Sequence, residues 1–280
     1  MSKYTILYNS LSDNRMGETE AKQLDNLLQG DDLTYIDIQK REKLEVIAKL
    51  QPDDKLIIAG GDGTLNHFIN DTDGMDIENE VFFYPTGTGN DFLSSVGEEK
   101  GKLIPLNSFL GNLPTVTVNG KDYKFINGVG YGIDGYCCEV GDQLRETSDK
   151  PINYTSIAIK GLLFHFKPVN AKVTIDGKMY RFKKVWLAPT MFGRFYGGGM
   201  IPTPDQKREE GTISTMVYHS CGKLKALMLF PSIFKGEHVK HTEAVSVFKA
   251  HHVRVEFDRP TALQIDGETI LGVTSYTAKI

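Results

Sequence analysis

The apolar positions fall first into short blocks separated by helix-like stretches. Residues 4–8, 33–38, 56–59 and 81–84 read as strands, and residues 18–28 and 43–50 carry helical spacing, the second stopped by Pro52. The block 56–59, Leu-Ile-Ile-Ala, has no polar position, as a strand covered on both faces should not. Strand and helix alternate to this point, which predicts a parallel sheet with helices on its faces. Near Pro114 the pattern changes. Residues 115–119 and 121–128 read as a hairpin across Asn119-Gly120. After a helical insertion at 153–166, short strands follow at 171–175, 179–188, 211–218, 244–248, 252–257 and 261–265, the pattern of an antiparallel sandwich. The fold class predicted is therefore an N-terminal α/β domain with a parallel sheet and a C-terminal antiparallel β-sandwich domain. Periodicity alone gives the last strand-like segment, 270–279, no home.

Composition narrows the class of protein without altering that picture. The chain has 280 residues, enough for one large or two medium domains, with the apolar and charged content of a soluble globular protein. A net charge of −4 argues against a nucleic-acid partner. No signal-peptide pattern precedes the first strand, and no apolar run approaches the roughly 20 residues of a spanning helix. Three cysteines, two of them adjacent (Cys137-Cys138), imply no disulfide framework, so a reducing cytosol is the expected compartment.

Candidate chemistry concentrates after the apolar block at 56–59. Gly60-Gly61-Asp62-Gly63-Thr64-Leu65-Asn66 reads as a glycine turn entering a helix, with Thr64 as N-cap and positive φ in the turn. Free N–H groups at such a helix start make a phosphate site, and Asp62, the sole carboxylate in the turn, fits there with a cation between. Two further polar loops, 9–13 and 86–91, fall at the carboxyl ends of strands, where open α/β sheets bind ligands. Gly130-Tyr131-Gly132-Ile133-Asp134-Gly135 matches a dinucleotide fingerprint formally but lies mid-chain after a hairpin, which reads as chance. Residues 157–166, with Lys160, His165 and Lys167, fit core packing better than a bilayer surface.

Taken together, the glycine turn and Pro85-Thr86-Gly87-Thr88-Gly89-Asn90-Asp91-Phe92 resemble the diacylglycerol kinase catalytic-domain family, of the soluble bacterial lipid kinase type. Asn127 to Asp134, Tyr196-Gly197-Gly198-Gly199-Met200-Ile201-Pro202 and Leu263-Gln264-Ile265-Asp266-Gly267-Glu268 are similar to later motifs of that family. The resemblance implies a domain of residues 1–113 completed by 270–280, a sandwich over 114–269, and ATP bound in the cleft between them. It also implies magnesium-dependent phosphorylation of a lipid hydroxyl, most simply diacylglycerol to phosphatidic acid. Nucleotide contacts would come from Asn9, Ser10, Ser12, Asp13, Gly60, Gly61, Asp62, Gly63, Thr64, Leu65, Asn66, Thr88, Asn90 and Asp91. Glu268, with Asp266 as the other candidate, would take the acceptor's proton, and Asp62 would serve catalysis through the cation.

The chain departs from the family pattern in three places. Asn9-Ser10-Leu11-Ser12-Asp13 replaces Asn-Pro-x-Ser-Gly, which puts a carboxylate near the phosphates or forces the loop away. No threonine follows the second strand. Lys207-Arg208-Glu209-Glu210-Gly211-Thr212 stands where the family's metal loop carries Asp-Asp-Gly, leaving Lys207, Glu210 and Thr212 as the magnesium candidates. Gly-Gly-Asp-Gly-Thr also occurs in NAD kinases, so a soluble-substrate kinase, or a nucleotide-binding module without transfer, remain the alternative readings. The lipid reading carries the expectation of a cytoplasmic protein in transient peripheral contact with the inner membrane face, with a homodimer possible and no nucleic acid.

Overall fold

A computed structural model describes residues 1–86, 90–147 and 152–280, with the side chains of Asp13 and Asn14 also outside the description. The chain divides into two compact units, Met1–Asn112 and Leu113–Ile280.

The first unit runs β1 (Lys3–Tyr8), α1 (Ser12–Arg15), α2 (Gly17–Ala21), α3 (Leu24–Leu27), β2 (Asp32–Asp37), α4 (Lys43–Ile47), β3 (Lys55–Gly60), α5 (Asp62–Asp71), β4 (Val81–Pro85), α6 (Asp91–Val96), β5 (Ile104–Pro105) and α7 (Asn107–Leu110). Its sheet has the order β2-β1-β3-β4-β5, parallel except for the antiparallel edge strand β5. Leu56, Ile57, Ile58 and Ala59 of β3 are buried, as the unbroken apolar block requires of an inner strand covered on both faces. Register aligns Tyr8 with Ala59, Ala59 with Tyr84 and Gly60 with Pro85, so the loops after β1, β3 and β4 leave the sheet at one edge. The single helix expected over 18–28 is instead two short ones, α2 and α3, with α1 ahead of them. Between α1 and α2 the backbone turns left-handed at Arg15 (φ 70°), and Gly17 then lies so close to the Asn9 carbonyl that a Cβ there would sit 2.0 Å from its oxygen.

The second unit runs β6 (Thr115–Val118), β7 (Lys121–Lys124), β8 (Gly128–Tyr131), α8 (Ile133–Thr147), α9 (Tyr154–Lys160) continued by a π-helical turn (Gly161–His165), β9 (Val169–Ile175), β10 (Lys178–Val185), β11 (Thr190–Met191), β12 (Ile213–Tyr218), α10 (Lys223–Leu229), β13 (Val245–Ala250), β14 (His252–Ile265) and β15 (Glu268–Lys279). Among the described residues these strands form one antiparallel sheet organised on β14. The first half of β14 pairs with β9 (Val253↔Ile175 to Phe257↔Ala171) and its end with β8 (Leu263↔Tyr131 to Ile265↔Val129). A strand that changes partners in this way turns the sheet over its core, which holds Tyr131 stacked on Phe257 at 3.8 Å and Tyr276 edge-on to Tyr131.

Residues 270–280 do not return to the first unit. The two-residue turn Asp266-Gly267, with φ of 47° and 99°, folds β15 straight back on β14. Its other edge pairs with β6 from Tyr276↔Val118 to Lys279↔Thr115. Helix α8 is a second departure, since the pattern predicts no element between the strand at 121–128 and the helical insertion at 153–166. Gly135 and Gly141 mark close packing within that helix instead: a Cβ on Gly135 would fall 1.9 Å from the Ala262 carbonyl oxygen, and one on Gly141 would fall 2.7 Å from the Tyr154 ring.

Candidate active site

In the first unit the glycine turn is tighter than the sequence suggests. Helix α5 begins at Asp62, two residues before the expected cap, with Gly61 as N-cap in extended backbone (φ −93°, ψ −171°). Room, not handedness, explains the glycine at 60: a Cβ there would lie 2.4 Å from that of Thr64. Gly63 and Thr64 occupy the first turn of α5, where N–H groups have no intrahelical acceptor. Asn66 is buried one turn on and accepts from Asn70 Nδ2 at its carbonyl (3.0 Å); Leu65 belongs to the core.

Asp62 does something the sequence did not announce. Its Oδ2 accepts from the Asp91 N–H at 2.7 Å and its Oδ1 from the Phe92 N–H at 3.0 Å. The carboxylate therefore caps the start of α6 and brackets the loop after β4 to the glycine turn. The Thr86 N–H adds a second tie, to the Gly60 carbonyl at 2.9 Å, and Asn90 Nδ2 donates to the Thr86 carbonyl at 3.0 Å. Thr88 lies outside the described residues.

The loop after β1 closes on itself. The Leu11 N–H donates to Asn9 Oδ1 at 2.9 Å, the Ser12 N–H to the Asn9 carbonyl at 3.1 Å, and the Ser10 N–H to Asp37 Oδ1 at 3.3 Å. The Ser12 hydroxyl also donates to the Asn9 carbonyl, at 2.7 Å. Three consecutive main-chain donors, those of Ser10, Leu11 and Ser12, are thus committed inside the protein. Asp37, at the end of β2 where the family carries threonine, is the acceptor that holds the loop. Burial pushes its carboxyl up, but the bonds from Ser10, Gln39 and Lys40 outweigh burial and hold it below the ordinary carboxylate value.

In the second unit, Asp266 and Glu268 take different parts. Asp266 is 7% exposed and its oxygens accept three main-chain N–H groups, from Ile126 (2.7 Å), Asn127 (2.9 Å) and Gly128 (2.8 Å). It anchors the turn to the start of β8. Two residues that the sequence does not single out complete the anchor. Gln264 takes the Gly267 N–H on Oε1 at 2.6 Å and donates from Nε2 to Asp134 Oδ2 at 2.8 Å. Arg208 donates to the Ile126 carbonyl and, at 3.1 Å, to Asn127 Oδ1, with its guanidinium over the Phe192 ring. Gln264 was findable, because a polar residue between Leu263 and Ile265 in a strand buried on both faces needs partners. Arg208 carries no comparable signal in a charged loop. Glu268, half-buried, opens β15 at the edge of this anchored turn.

The magnesium candidates do not fit the ion. The carbonyls of Lys207 and Thr212 converge on the buried side-chain amide of Gln206, whose Nε2 donates to them at 3.3 and 2.7 Å and to the Phe192 carbonyl at 3.2 Å. Its Oε1 accepts from Ser214 Oγ at 2.6 Å, and carbonyls cannot donate, so this orientation of the amide is forced. Glu210 pairs with Lys249, which holds its carboxyl below the ordinary value. Of the three candidates, Thr212 alone keeps a buried side-chain oxygen without a partner among the described residues, its hydroxyl. One hydroxyl is far from the roughly six oxygens magnesium requires. Nor do the described residues hold any group of three acidic, histidine or cysteine side chains arranged for a metal. A separate groove of about 420 Å³ lies between Tyr136, His165, Lys167, Arg259 and Leu271, with none of the expected site residues in its walls.

These geometries have known counterparts. Residues 3–113 match the diacylglycerol kinase catalytic domain, and residues 127–280 match the YegS C-terminal NAD kinase beta sandwich-like domain. A diacylglycerol kinase of Mycobacterium tuberculosis (strain ATCC 25618 / H37Rv) is 28% identical over 211 residues, covering 72% of this chain and 67% of that one. A diacylglycerol kinase of Bacillus subtilis (strain 168) is 25% identical over 229 residues, covering 79% and 73%. The crystal structure of a diacylglycerol kinase from Bacillus anthracis str. Sterne superposes with a TM-score of 0.62 at 19% identity, over 99% of this chain and 93% of that one, a likeness of fold. With both of its units matched in order by adjoining domains of one family, the chain belongs to the diacylglycerol kinase catalytic-domain family and is a kinase.

Proposed function

We propose that this kinase transfers the γ-phosphoryl group of ATP to the hydroxyl of a membrane lipid, diacylglycerol first, giving phosphatidic acid. The observation that carries the reading is the glycine-floored start of α5, bracketed to α6 by both oxygens of Asp62. A bracketed helix start is a fixed array of donors for phosphate oxygens, and phosphoryl transfer asks for positioning and charge neutralisation above all. The lipid acceptor is supported by the diacylglycerol kinases among the relatives. In this reading Glu268 takes the proton of the acceptor hydroxyl as its oxygen attacks the γ-phosphorus. The bond from that phosphorus to the β-phosphate oxygen breaks and ADP leaves. Asp266, Gln264 and Asp134 hold the turn that presents Glu268.

Magnesium, when bound, would neutralise phosphate charge. With Asp62 spent on Asp91 and Phe92, and Lys207, Glu210 and Thr212 unsuited, it would arrive on the nucleotide itself. Contact with the membrane would be transient and peripheral, at the inner face, since no helix among the described residues is long and apolar enough to cross a bilayer.

Labelled ATP offered with micellar diacylglycerol, monoacylglycerol, sphingoid base or NAD tests the proposal. Label in phosphatidic acid is the expected result. Label only in NAD would move the chain to a soluble substrate, and tight ATP binding without transfer to any acceptor would leave a nucleotide-binding module.

A further inference from the structure

One surface of the second unit is unlike the rest of the molecule. Phe164 on the π-helical turn and Leu224 and Met228 on α10 are 72%, 74% and 78% exposed. Leu224 and Met228 are four residues apart and so share one face of α10. The two elements are neighbours: Lys223 Nζ at the start of α10 donates to the Leu163 carbonyl at 2.9 Å, and Leu162, Ala226 and Leu229 enter the same core. The π-turn widens the end of α9 so that Leu162 packs inward while Phe164 projects into solvent.

Charge sets this surface apart again. The chain is net acidic at −4, yet residues 152–175 and 213–235 contain no aspartate or glutamate at all. They contribute exposed Lys160, one helical turn before Phe164, together with Lys167, Lys223 and Lys225. Lys225 is paired with Glu243, and Glu139 lies in the adjoining groove beside Lys167 and Arg259; both acids come from outside the two segments. Large apolar side chains at the centre with lysines around them are what an amphipathic element offers a negatively charged lipid surface. A second copy of the chain is a poor occupant, since a symmetric contact would set these lysines against each other.

We propose that Phe164, Leu224 and Met228, ringed by Lys160, Lys167 and Lys223, form the face by which this protein docks on an anionic phospholipid bilayer. The proposal rests on the lipid-kinase reading for its purpose but not for its test. The full chain is sedimented with vesicles of phosphatidylglycerol and phosphatidylcholine in equal parts, without diacylglycerol or nucleotide, so the identity of the acceptor has no bearing on the readout. Wild type should bind these vesicles about tenfold or more tightly than pure phosphatidylcholine, and lose that advantage in high salt. Phe164→Ser/Leu224→Ser/Met228→Ser and, separately, Lys160→Gln/Lys167→Gln should each weaken binding about tenfold while the melting temperature holds, because these side chains are exposed. Met179→Ser, at an exposed methionine on β10, should bind as wild type does. The proposal falls if wild type ignores the anionic vesicles or if both multiple variants bind as well as wild type. It falls equally if the apolar triple variant converts a solution dimer to a monomer, for the face would then belong to a second copy.

Discussion

Contacts with the main chain divide the three carboxylates that the sequence singles out. Asp62 and Asp266 each accept backbone N–H groups with both oxygens, whereas Glu268 opens a strand beside the anchored turn. The sequence gives all three the same weight, because a motif names a residue type and not its partners. Removing a bracket should therefore cost stability as well as activity. Asp62→Ala deletes a helix cap and strands two donors, so chemical denaturation should show a loss of about 1–2 kcal/mol in the first unit together with loss of ATP binding. Asp266→Asn should destabilise the second unit by about 2 kcal/mol or more, since an amide offers one acceptor where three donors wait. Glu268→Gln, at a half-buried position, should cost less than either. Equal destabilisation by all three substitutions would refute this division.

The apolar blocks and turn residues made the parallel sheet, the order of its strands' loops and the Asn119-Gly120 hairpin legible at the level of elements, for these follow from local pattern. What stayed hidden depended on partners distant in sequence. For the loop 9–13 that partner is Asp37, 27 residues from Ser10. Likewise α8 goes unpredicted because its glycines mark packing against β14 and Tyr154, not turns. Gly135→Ala should accordingly cost about 3 kcal/mol or more, because the clash is with a main-chain carbonyl and exceeds the roughly 1 kcal/mol that alanine adds in helix propensity. Gly141→Ala should cost less, since the Tyr154 ring it would meet is a side chain able to shift. Thermal melts of the two variants make the comparison. The loop 206–212 belongs at this scale too. With Gln206 filling the place of a cation, the melting temperature of the nucleotide-free protein should be the same in magnesium and in chelator. A magnesium-dependent rise would restore the metal site.

Across the whole molecule, the division into an α/β unit and an antiparallel unit was readable from the change of pattern near residue 114. The home of 270–279 was not, because a lone strand's pairing depends on which edge is open, here that of β14 and β6. Whole-chain stability should also depend on pH. His219 and His238 are buried, and burial holds both below the ordinary value of 6.5, more than offsetting for His238 the bonds its ring makes to the main chain of Pro202 and Ser232. The unfolded chain then binds more protons than the folded one as pH falls below about 6.5, so stability declines there. His238→Gln should flatten part of that decline in urea titrations across this range, and an unchanged slope would show that His238 is not its source. Asp37, held below 3.8, adds a second loss only as pH falls below that value. The central claim is that the second unit supplies the base for phosphoryl transfer to a lipid hydroxyl. The most direct measurement is ATP-dependent phosphorylation of micellar diacylglycerol by wild type and Glu268→Gln, beside ATP affinity and melting temperature. The account predicts phosphatidic acid from wild type and about a hundredfold lower kcat or less from the variant, with affinity unchanged and the variant still folded by its melt. Transfer by the variant at the wild-type rate, or label passing only to NAD, would contradict it.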